Sequence, residues 1–359
     1  MSSTHNVHIG NRIIGGNMPI LIQSMCSTNT ADVKATITQI HRLEKAGCEI
    51  IRIAVPDMQA VKAIPNIKKA IRIPLAADIH FDHRLAVASV KHGVDKIRIN
   101  PGNIGGEKKI KEIVSACKDH NTAIRIGVNA GSLKYLKDHS SLWRRLPVNK
   151  RAGHLVQEAL EYISLIESMG FKSIVVSLKA ADITTSTAAY RLMSTKTSYP
   201  LHVGITEAGS LIPGIVKSTI GIAGLLAEGI GDTIRVSLTA DPVYEVKCAK
   251  EILKNLKLRT FGPEIISCPT CARCKTNIIK VVHNLESQVE KLQEKKVKFY
   301  AKKIAVMGCM VNGPGEARDA DIGIAGGKGT GLLFKNGKAF KQIQEKQWVS
   351  EILKIATGE

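Results

Sequence analysis

Pro74-Leu-Ala-Ala-Asp78-Ile-His80 is a short apolar run that stops on polar side chains, and Lys96-Ile-Arg98-Ile-Asn100 does the same one helical stretch later. The pattern extends in both directions. Upstream lie Pro19 to Met25 and Glu49 to Val55, the second carrying Arg52. Downstream lie Ala123 to Asn129 with Arg125, Lys172 to Lys179, Leu201 to Glu207, and Asp232 to Ser237 with Arg235. Stretches of helical period separate most of these runs, clearest at Asp32 to Ala46 and Ala152 to Met169. Eight short strands alternating with helices predict a parallel (β/α)8 barrel of the TIM type in the α/β class.

In such barrels the reactive groups project from the carboxyl ends of the strands. Those ends here carry Arg52, Asp78, His80, Arg98, Asn100, Arg125, Asn129, Lys179, Glu207, Arg235 and Ser237. One arginine at a strand end is unremarkable. Four arginines and a lysine converging on one mouth point to an anion, and the guanidinium fork suits phosphate oxygens.

Composition narrows the alternatives. Lysine and arginine exceed aspartate and glutamate by 20 over 359 residues. Many of these lysines sit in helix-like runs such as Glu294-Lys-Lys-Val-Lys, so solvated faces are one reading of the excess and an anionic partner is the other. No basic tail and no aromatic-studded basic motif is present, which argues against nucleic acid. No apolar run is long enough to cross a membrane. Met1-Ser-Ser-Thr-His-Asn6 has no apolar segment behind it, so a cytoplasmic, reducing setting is expected.

Before the barrel, His8-Ile-Gly-Asn-Arg-Ile-Ile-Gly-Gly reads as a small hairpin. Past Leu238 the rhythm breaks. A helix from Pro242 to Leu256 leads into Phe261-Gly-Pro263, a linker composition. The expected domains are therefore 1–260, a substrate-binding barrel, and 261–359, a small α+β domain. The second holds a charged helix (Asn277 to Lys295), a strand (Lys303 to Gly308) and the glycine-rich run Asp321-Ile-Gly-Ile-Ala-Gly-Gly-Lys-Gly-Thr-Gly. Gly326-Gly-Lys-Gly has no strand-to-helix context, so a hairpin turn is the better reading than a phosphate cradle.

The small domain also carries Cys268-Pro-Thr-Cys271-Ala-Arg-Cys274 and, later, Met307-Gly-Cys309-Met-Val-Asn312-Gly-Pro-Gly315-Glu316. Cys-x-x-Cys places two sulfurs on one turn, and a third thiolate arrives from the end of a later strand. In a reducing compartment this points to a metal, as an iron–sulfur site or as zinc. Cys26, Cys48, Cys117 and Cys248 stand singly among barrel elements and read as inert thiols. Glu316 follows Cys309 on a loop bent by Gly313-Pro-Gly315 and can return a carboxylate, a harder and more exchangeable ligand for iron.

These motifs resemble the GcpE family of 4-hydroxy-3-methylbut-2-en-1-yl diphosphate synthases. The resemblance rests on Cys268-Pro-Thr-Cys271, Gly308-Cys309-Met-Val-Asn-Gly-Pro-Gly-Glu316 and Asp321-Ile-Gly-Ile-Ala-Gly-Gly, with Gln23-Ser-Met25, Ala77-Asp78-Ile-His80, Arg98-Ile-Asn100-Pro-Gly-Asn-Ile-Gly, Arg125-Ile-Gly-Val-Asn129 and Gly204-Ile-Thr-Glu207-Ala-Gly in the barrel. It spans about residue 6 to about residue 340. It implies an oxidoreductase of the non-mevalonate isoprenoid pathway that reductively opens 2-C-methyl-D-erythritol 2,4-cyclodiphosphate and expels a hydroxyl as water. It implies a 4Fe-4S cluster on Cys268, Cys271, Cys309 and Glu316, fed by flavodoxin or ferredoxin. The diphosphate would lie on Arg52, Arg98, Arg125 and Lys179, with Asp78, His80, Asn100, Asn129, Arg235 and Ser237 around it. Glu207 is the first candidate proton donor and His80 the second. The family resemblance further implies a homodimer in which the barrel of one subunit meets the cluster domain of the other. No large insertion separates the two domains, as in the short bacterial form.

Two features depart from the pattern. Cys274 adds a third cysteine to the turn, read as a bystander because the Asn-Gly-Pro-Gly-Glu loop is intact. The lysine-rich segment from Lys291 to Lys303 is expected on the surface, where it can meet an acidic electron donor. The competing readings are a pterin- or aldolase-type barrel with a structural zinc domain, and a zinc-bearing nucleic-acid binder.

Overall fold

The computed structural model describes residues 4–274, 276–310, 315 and 317–358, with the backbone alone for 137–141. It divides into two compact units, Met1–Arg259 and Thr260–Glu359.

The first unit opens with an antiparallel hairpin of β1 (Val7–Ile9) and β2 (Arg12–Ile14). Then come β3 (Leu21–Met25), β4 (Ile50–Ala54), β5 (Leu75–Asp78), β6 (Lys96–Ile99), β7 (Ala123–Asn129), β8 (Ile174–Lys179), β9 (His202–Val203) and β10 (Thr233–Ile234). They form one parallel sheet in the order β8-β7-β6-β5-β4-β3-β10-β9. A parallel bridge between Val176 and Leu201 brings the two edges of the sheet together, so the barrel is nearly closed. All eight expected strands are present, the last two reduced to two residues each.

Helices connect the strands and their amino ends lie at the carboxyl ends of the strands. Several begin at an aspartate: Asp32, Asp57, Asp82, Asp182 and Asp241 each accept a hydrogen bond from a backbone N–H of the first turn, at 2.7–3.0 Å. Such a cap satisfies a donor that the helix cannot, worth about 1 kcal/mol each. The helix Val148–Ser168 starts four residues before the expected Ala152, with Pro147 ahead of its first turn.

Side chains alternate along each strand between the helices and the barrel interior. The outward set is the aliphatic wall, for example Ile51 and Ile53 on β4 and Ile124, Ile126 and Val128 on β7. The inward set changes character along the strands. At their amino ends Leu21, Ile50, Ala76, Ala123 and Val175 form an apolar layer with Val7, Ile9 and Ile14 of the hairpin, which plugs that end. Beyond it the inward positions are polar or small, apart from Met25 at the end of β3.

The second unit is a five-stranded sheet ordered β11 (Glu264–Ser267), β12 (Lys303–Met307), β13 (Ile322–Gly326), β14 (Thr330–Lys335) and β15 (Lys338–Gln344). The first three strands run parallel and the last three pair antiparallel. The glycine-rich run is a hairpin turn, as expected. Helices Ile278–Glu294 and Trp348–Thr357 cover one face, where Leu285, Ile304, Val306, Ile324 and Leu333 pack with the fully buried Trp348. The other face carries the smaller cluster of Ala305, Met307, Ala317, Ala325 and Phe334.

Trp348 is the anchor of that second core. Trp348→Ala should cost about 3–5 kcal/mol and lower the denaturant midpoint of the second unit while the barrel transition stays in place. A loss under 1 kcal/mol, read from circular dichroism, would show that the core closes without it.

Candidate active site

The carboxyl ends of the barrel strands gather charge in a space largely withdrawn from water. Arg52, Asp78, Arg98, Arg125 and Lys179 are each between 1% and 8% exposed. Parallel register explains their proximity: Asp78 pairs with Arg98, and Arg98 with Arg125, on adjacent strands.

Asp78 organises the near side. Its carboxylate meets Arg98 Nη1 at 3.3 Å, His80 Nε2 at 3.4 Å and Arg52 Nε at 3.7 Å. Burial opposes its ionisation, but the Arg52 charge, the His80 hydrogen bond and the charges of Arg98 and Arg125 hold the carboxyl well below the usual carboxylate range. Arg52 also lies against Met25 Sδ, at 2.9 and 3.1 Å. Burial lowers its value to about 10, with Asp78 opposing.

Glu245, on the helix Pro242–Asn255, organises the far side. It accepts from Ser24 Oγ at 3.0 Å, from Leu238 N at 3.1 Å, and from Arg235 at 3.3 and 3.4 Å. Two carboxylates therefore orient Arg52, Arg98 and Arg235. They leave donors over: Arg98 Nε and Arg125 Nε and Nη1 are buried without a hydrogen-bond partner. Unpaired buried donors are costly and point to an acceptor-rich ligand. Lys179 sits among Arg52, Arg98, Arg125 and Arg235; burial first, and then those charges, push its amine well below the ordinary lysine value.

Close packing makes room for this. Gly127 of β7 faces Arg98, and a Cβ there would lie 2.6 Å from Arg98 Nε. Any side chain would displace the guanidinium.

The remaining expected residues are placed as follows. Asn100 is buried, donates to Ser132 Oγ at 2.6 Å and caps the turn at Gly102. Asn129 ends β7 with its Oδ1 buried and unpaired. Ser237 is half-buried beyond β10. His80 is half-exposed above Asp78. Glu207 follows β9 with its side chain exposed, and its backbone is left-handed at φ 52°. That conformation is uncommon for glutamate and clusters at functional loops.

A deeper layer escaped the sequence reading. Lys96 is fully buried and donates to Gln23 Oε1 at 2.9 Å; His202, also fully buried, pairs its Nδ1 with Thr233 Oγ1 at 2.7 Å. Burial, then Arg125 and other nearby cations, lowers both well below their usual values. The signal was available in Lys96-x-Arg98-x-Asn100, since period 2 puts all three on one face.

In the second unit Cys268 and Cys309 follow the adjacent parallel strands β11 and β12. Gly308 N–H donates to Cys268 Sγ at 3.1 Å. Cys271 is exposed on the intervening turn, and the Arg273 backbone N–H and guanidinium favour its thiolate. Among the described residues no three His, Cys, Asp or Glu side chains stand together as a metal-binding group. Glu316 lies outside the described residues. The donor set of free thiols, with a backbone N–H already aimed at one sulfur, suits an iron–sulfur group.

Comparison with known proteins agrees with both halves. A profile described as the GcpE TIM-barrel domain matches residues 4–250, and one described as the GcpE protein C-terminal domain matches residues 264–357. A 4-hydroxy-3-methylbut-2-en-1-yl diphosphate synthase (flavodoxin) of Caldanaerobacter subterraneus is 52% identical over 355 residues, covering 98% of this chain and 96% of that protein. The same-named proteins of Geobacillus kaustophilus and Clostridium perfringens are each 50% identical over 98% of this chain, which spans 91% and 97% of them. Among solved structures, a Plasmodium falciparum HPPK-DHPS matches 71% of this chain and 49% of its own at TM-score 0.52 and 15% identity, a likeness of fold alone.

Burial among like charges pushes the Lys179 amine well below the ordinary lysine value, and a bound anion opposes that shift. Sulfate has no titratable proton near neutrality, so its binding at pH 8 should draw protons from the buffer. The measure is the dependence of calorimetric heat on buffer ionisation enthalpy. Lys179→Met should reduce the uptake; equal uptake in the variant would show that this amine is already charged.

Proposed function

The chain belongs to the GcpE family, and from that membership we propose that it reductively opens 2-C-methyl-D-erythritol 2,4-cyclodiphosphate to 4-hydroxy-3-methylbut-2-enyl diphosphate. The observation that carries this reading is the charge imbalance of the barrel mouth. Arg52, Arg98, Arg125, Lys179 and Arg235 face Asp78 and Glu245, with donors on Arg98 and Arg125 left unpaired.

The reaction takes two electrons and one proton. A carbon–oxygen bond to phosphate breaks, a hydroxyl leaves as water, and the diphosphate becomes linear. Its charge rises as the ring opens, so cations aimed at the phosphates hold the product-like state more tightly than the substrate. Arg125, with Nε and Nη1 free, and Lys179 are the main phosphate holders. Asp78 and Glu245 fix the angles of Arg52, Arg98 and Arg235, so little reorganisation is needed on binding. Asn100 and Asn129 supply neutral contacts at the rim. For the single proton, Glu207 is the first candidate donor and His80, oriented by Asp78, the second candidate. The aliphatic wall and the hairpin plug keep water from the interior, which strengthens each contact.

The residues suited to the cofactor are Cys268, Cys271, Cys309 and Glu316, as ligands of a 4Fe-4S cluster. When bound, such a cluster delivers the electrons one at a time. On this reading residues 1–260 bind substrate and residues 261–359 hold the cluster. The donor is flavodoxin or ferredoxin, and the names of the relatives support flavodoxin. The working form is a cytoplasmic homodimer in which each barrel meets its partner's cluster domain. No described helix is long and apolar enough to cross a membrane. A barrel with a structural zinc domain is the disfavoured alternative, because it leaves Glu316 without a task.

Protein purified without oxygen should hold about four irons and four acid-labile sulfides per chain, and turn over the cyclic diphosphate with a chemical reductant. Zinc without sulfide would overturn the redox reading. Arg125→Met should lower kcat/KM by roughly 10- to 150-fold, matching about 1.5–3 kcal/mol for a charge-assisted contact, while iron content is unchanged. Unaltered kcat/KM would remove Arg125 from the site.

A further inference from the structure

The sheet of the second unit has two dissimilar ends. Strands β11, β12 and β13 run parallel, so their carboxyl ends share one side, with Cys268 and Cys309. Four other segments meet Gly308 there or lie next to one that does. A Cβ on Gly308 would touch Cys274 Sγ at 2.5 Å and Ile278 Cγ1 at 3.1 Å, which places the first turn of helix Ile278–Glu294 against it. A Cβ on Gly326 would lie 3.2 Å from Gly308 O, which places the turn at Gly327–Gly329 beside it. Glu345 N donates to Gly329 O at 3.2 Å, which brings the end of β15 to the same side.

The lysine-rich segment lies elsewhere. It ends at Lys303, the amino-terminal residue of β12. Lys302 and Lys303 donate their backbone N–H groups to Asp321, which precedes β13. β12 has five residues, and at about 3.3 Å each the two ends stand roughly 15 Å apart. Lys302 and Lys303 thus stand at the opposite end of this sheet from Cys268 and Cys309. Electron transfer slows exponentially with distance, and this segment is at the wrong end of the sheet.

The cysteine end has the composition of a transient docking surface. Met310 is 42% exposed and Ile279 is 60% exposed, and Arg273, Lys280, Lys328 and Lys346 are exposed on the segments around them. An apolar centre with a charged rim is the anatomy of a specific interface. No carboxylate is exposed on the Cys268 turn up to Cys274 or on the Gly327–Gly329 turn.

We propose that this end, with Met310 and Ile279 at its centre and Arg273, Lys280, Lys328 and Lys346 around them, docks the electron donor in the intervals when it is not against the partner's barrel. The donor is a small flavoprotein that presents its flavin edge within an acidic rim. This rests on the redox reading above. The basic rim steers the encounter and sets its salt dependence, and the small apolar centre keeps it short-lived, as repeated single-electron delivery requires. Lys291 to Lys303 contributes to the general field and makes no contact with the donor.

The test uses holoenzyme and an acidic flavodoxin. Lys328→Glu with Lys346→Glu should slow re-oxidation of reduced flavodoxin by roughly tenfold at low ionic strength and weaken binding to the oxidised flavodoxin in calorimetry. At about 0.5 M salt the difference should vanish. Turnover with a chemical reductant and iron content should match the parent. Lys295→Glu with Lys298→Glu and Lys302→Glu should have little effect on any of these. A large loss in the second set and none in the first would overturn the assignment, as would parent-like flavodoxin binding in the first set. Failure of the parent protein with a chemical reductant would instead remove the redox reading.

Discussion

Six cationic side chains inside one barrel are the constraint that the first unit is built to bear. Arg52, Lys96, Arg98, Arg125, Lys179 and Arg235 lie in or near a dry interior that offers Asp78 and Glu245 in return. Bringing charges out of water costs several kcal/mol per ion unless they are paired and hydrogen-bonded. The interior resolves the cost unevenly. Arg52, Arg98 and Arg235 have carboxylates; Lys96 has only the neutral Gln23 amide; Arg125 keeps two unpaired donors. Each lowered value at Lys96, Arg125 and Lys179 records the same strain, with burial as its first cause. A ligand that brings phosphate oxygens would answer the unpaired donors of Arg98 and Arg125, and anything that binds only the folded state stabilises it.

The surrounding architecture follows from that burden. A wall made mostly of Ile, Val and Leu on the outward side of β4 to β8 packs against helices and supplies the burial that offsets the charge. The hairpin closes the amino end with Val7, Ile9 and Ile14. Aspartate caps at the mouth side tie the first helical turns to the loops that follow Arg52, Asp78, Lys179 and Arg235.

Much of this was legible in the sequence because the barrel repeats one rule. Alternating strands and helices, with arginines at successive strand ends, need no tertiary information to recognise. What stayed hidden lay where a rule is silent. Lys96 and His202 precede the strand ends and read as ordinary strand residues until their alternation with Arg98 and Gly204 is followed inward. Glu245 sits in a helix whose sequence gives no sign that its first turn reaches Arg235 and Ser24. In the second unit β15 runs Lys-Ala-Phe-Lys-Gln-Ile-Gln with all but Ile343 exposed, so an edge strand carried no alternation to find. β11 and the helix Trp348–Thr357 were passed over for a related reason: their apolar faces acquire meaning only against the sheet.

Cys274 shows how local spacing and three-dimensional position can disagree. Cys-x-x-Cys-x-x-Cys invites a ligand role for all three sulfurs. Packing separates Cys268 from Cys274. Cys268 packs with Ala305, Met307 and Phe334 on one face of the sheet, and Cys274 with Ile278, Ile304 and Val306 on the other. Gly308 stands between, giving its N–H to Cys268 Sγ while Cys274 Sγ occupies the place a Cβ would take. Cys274 Sγ donates to Thr276 O at 3.1 Å, which ties it to the turn before helix Ile278–Glu294. Its sulfur thus fills a packing position that holds the Gly308–Cys309 segment in place. A sulfur serving that role is withdrawn from the side of Gly308 where Cys268 lies.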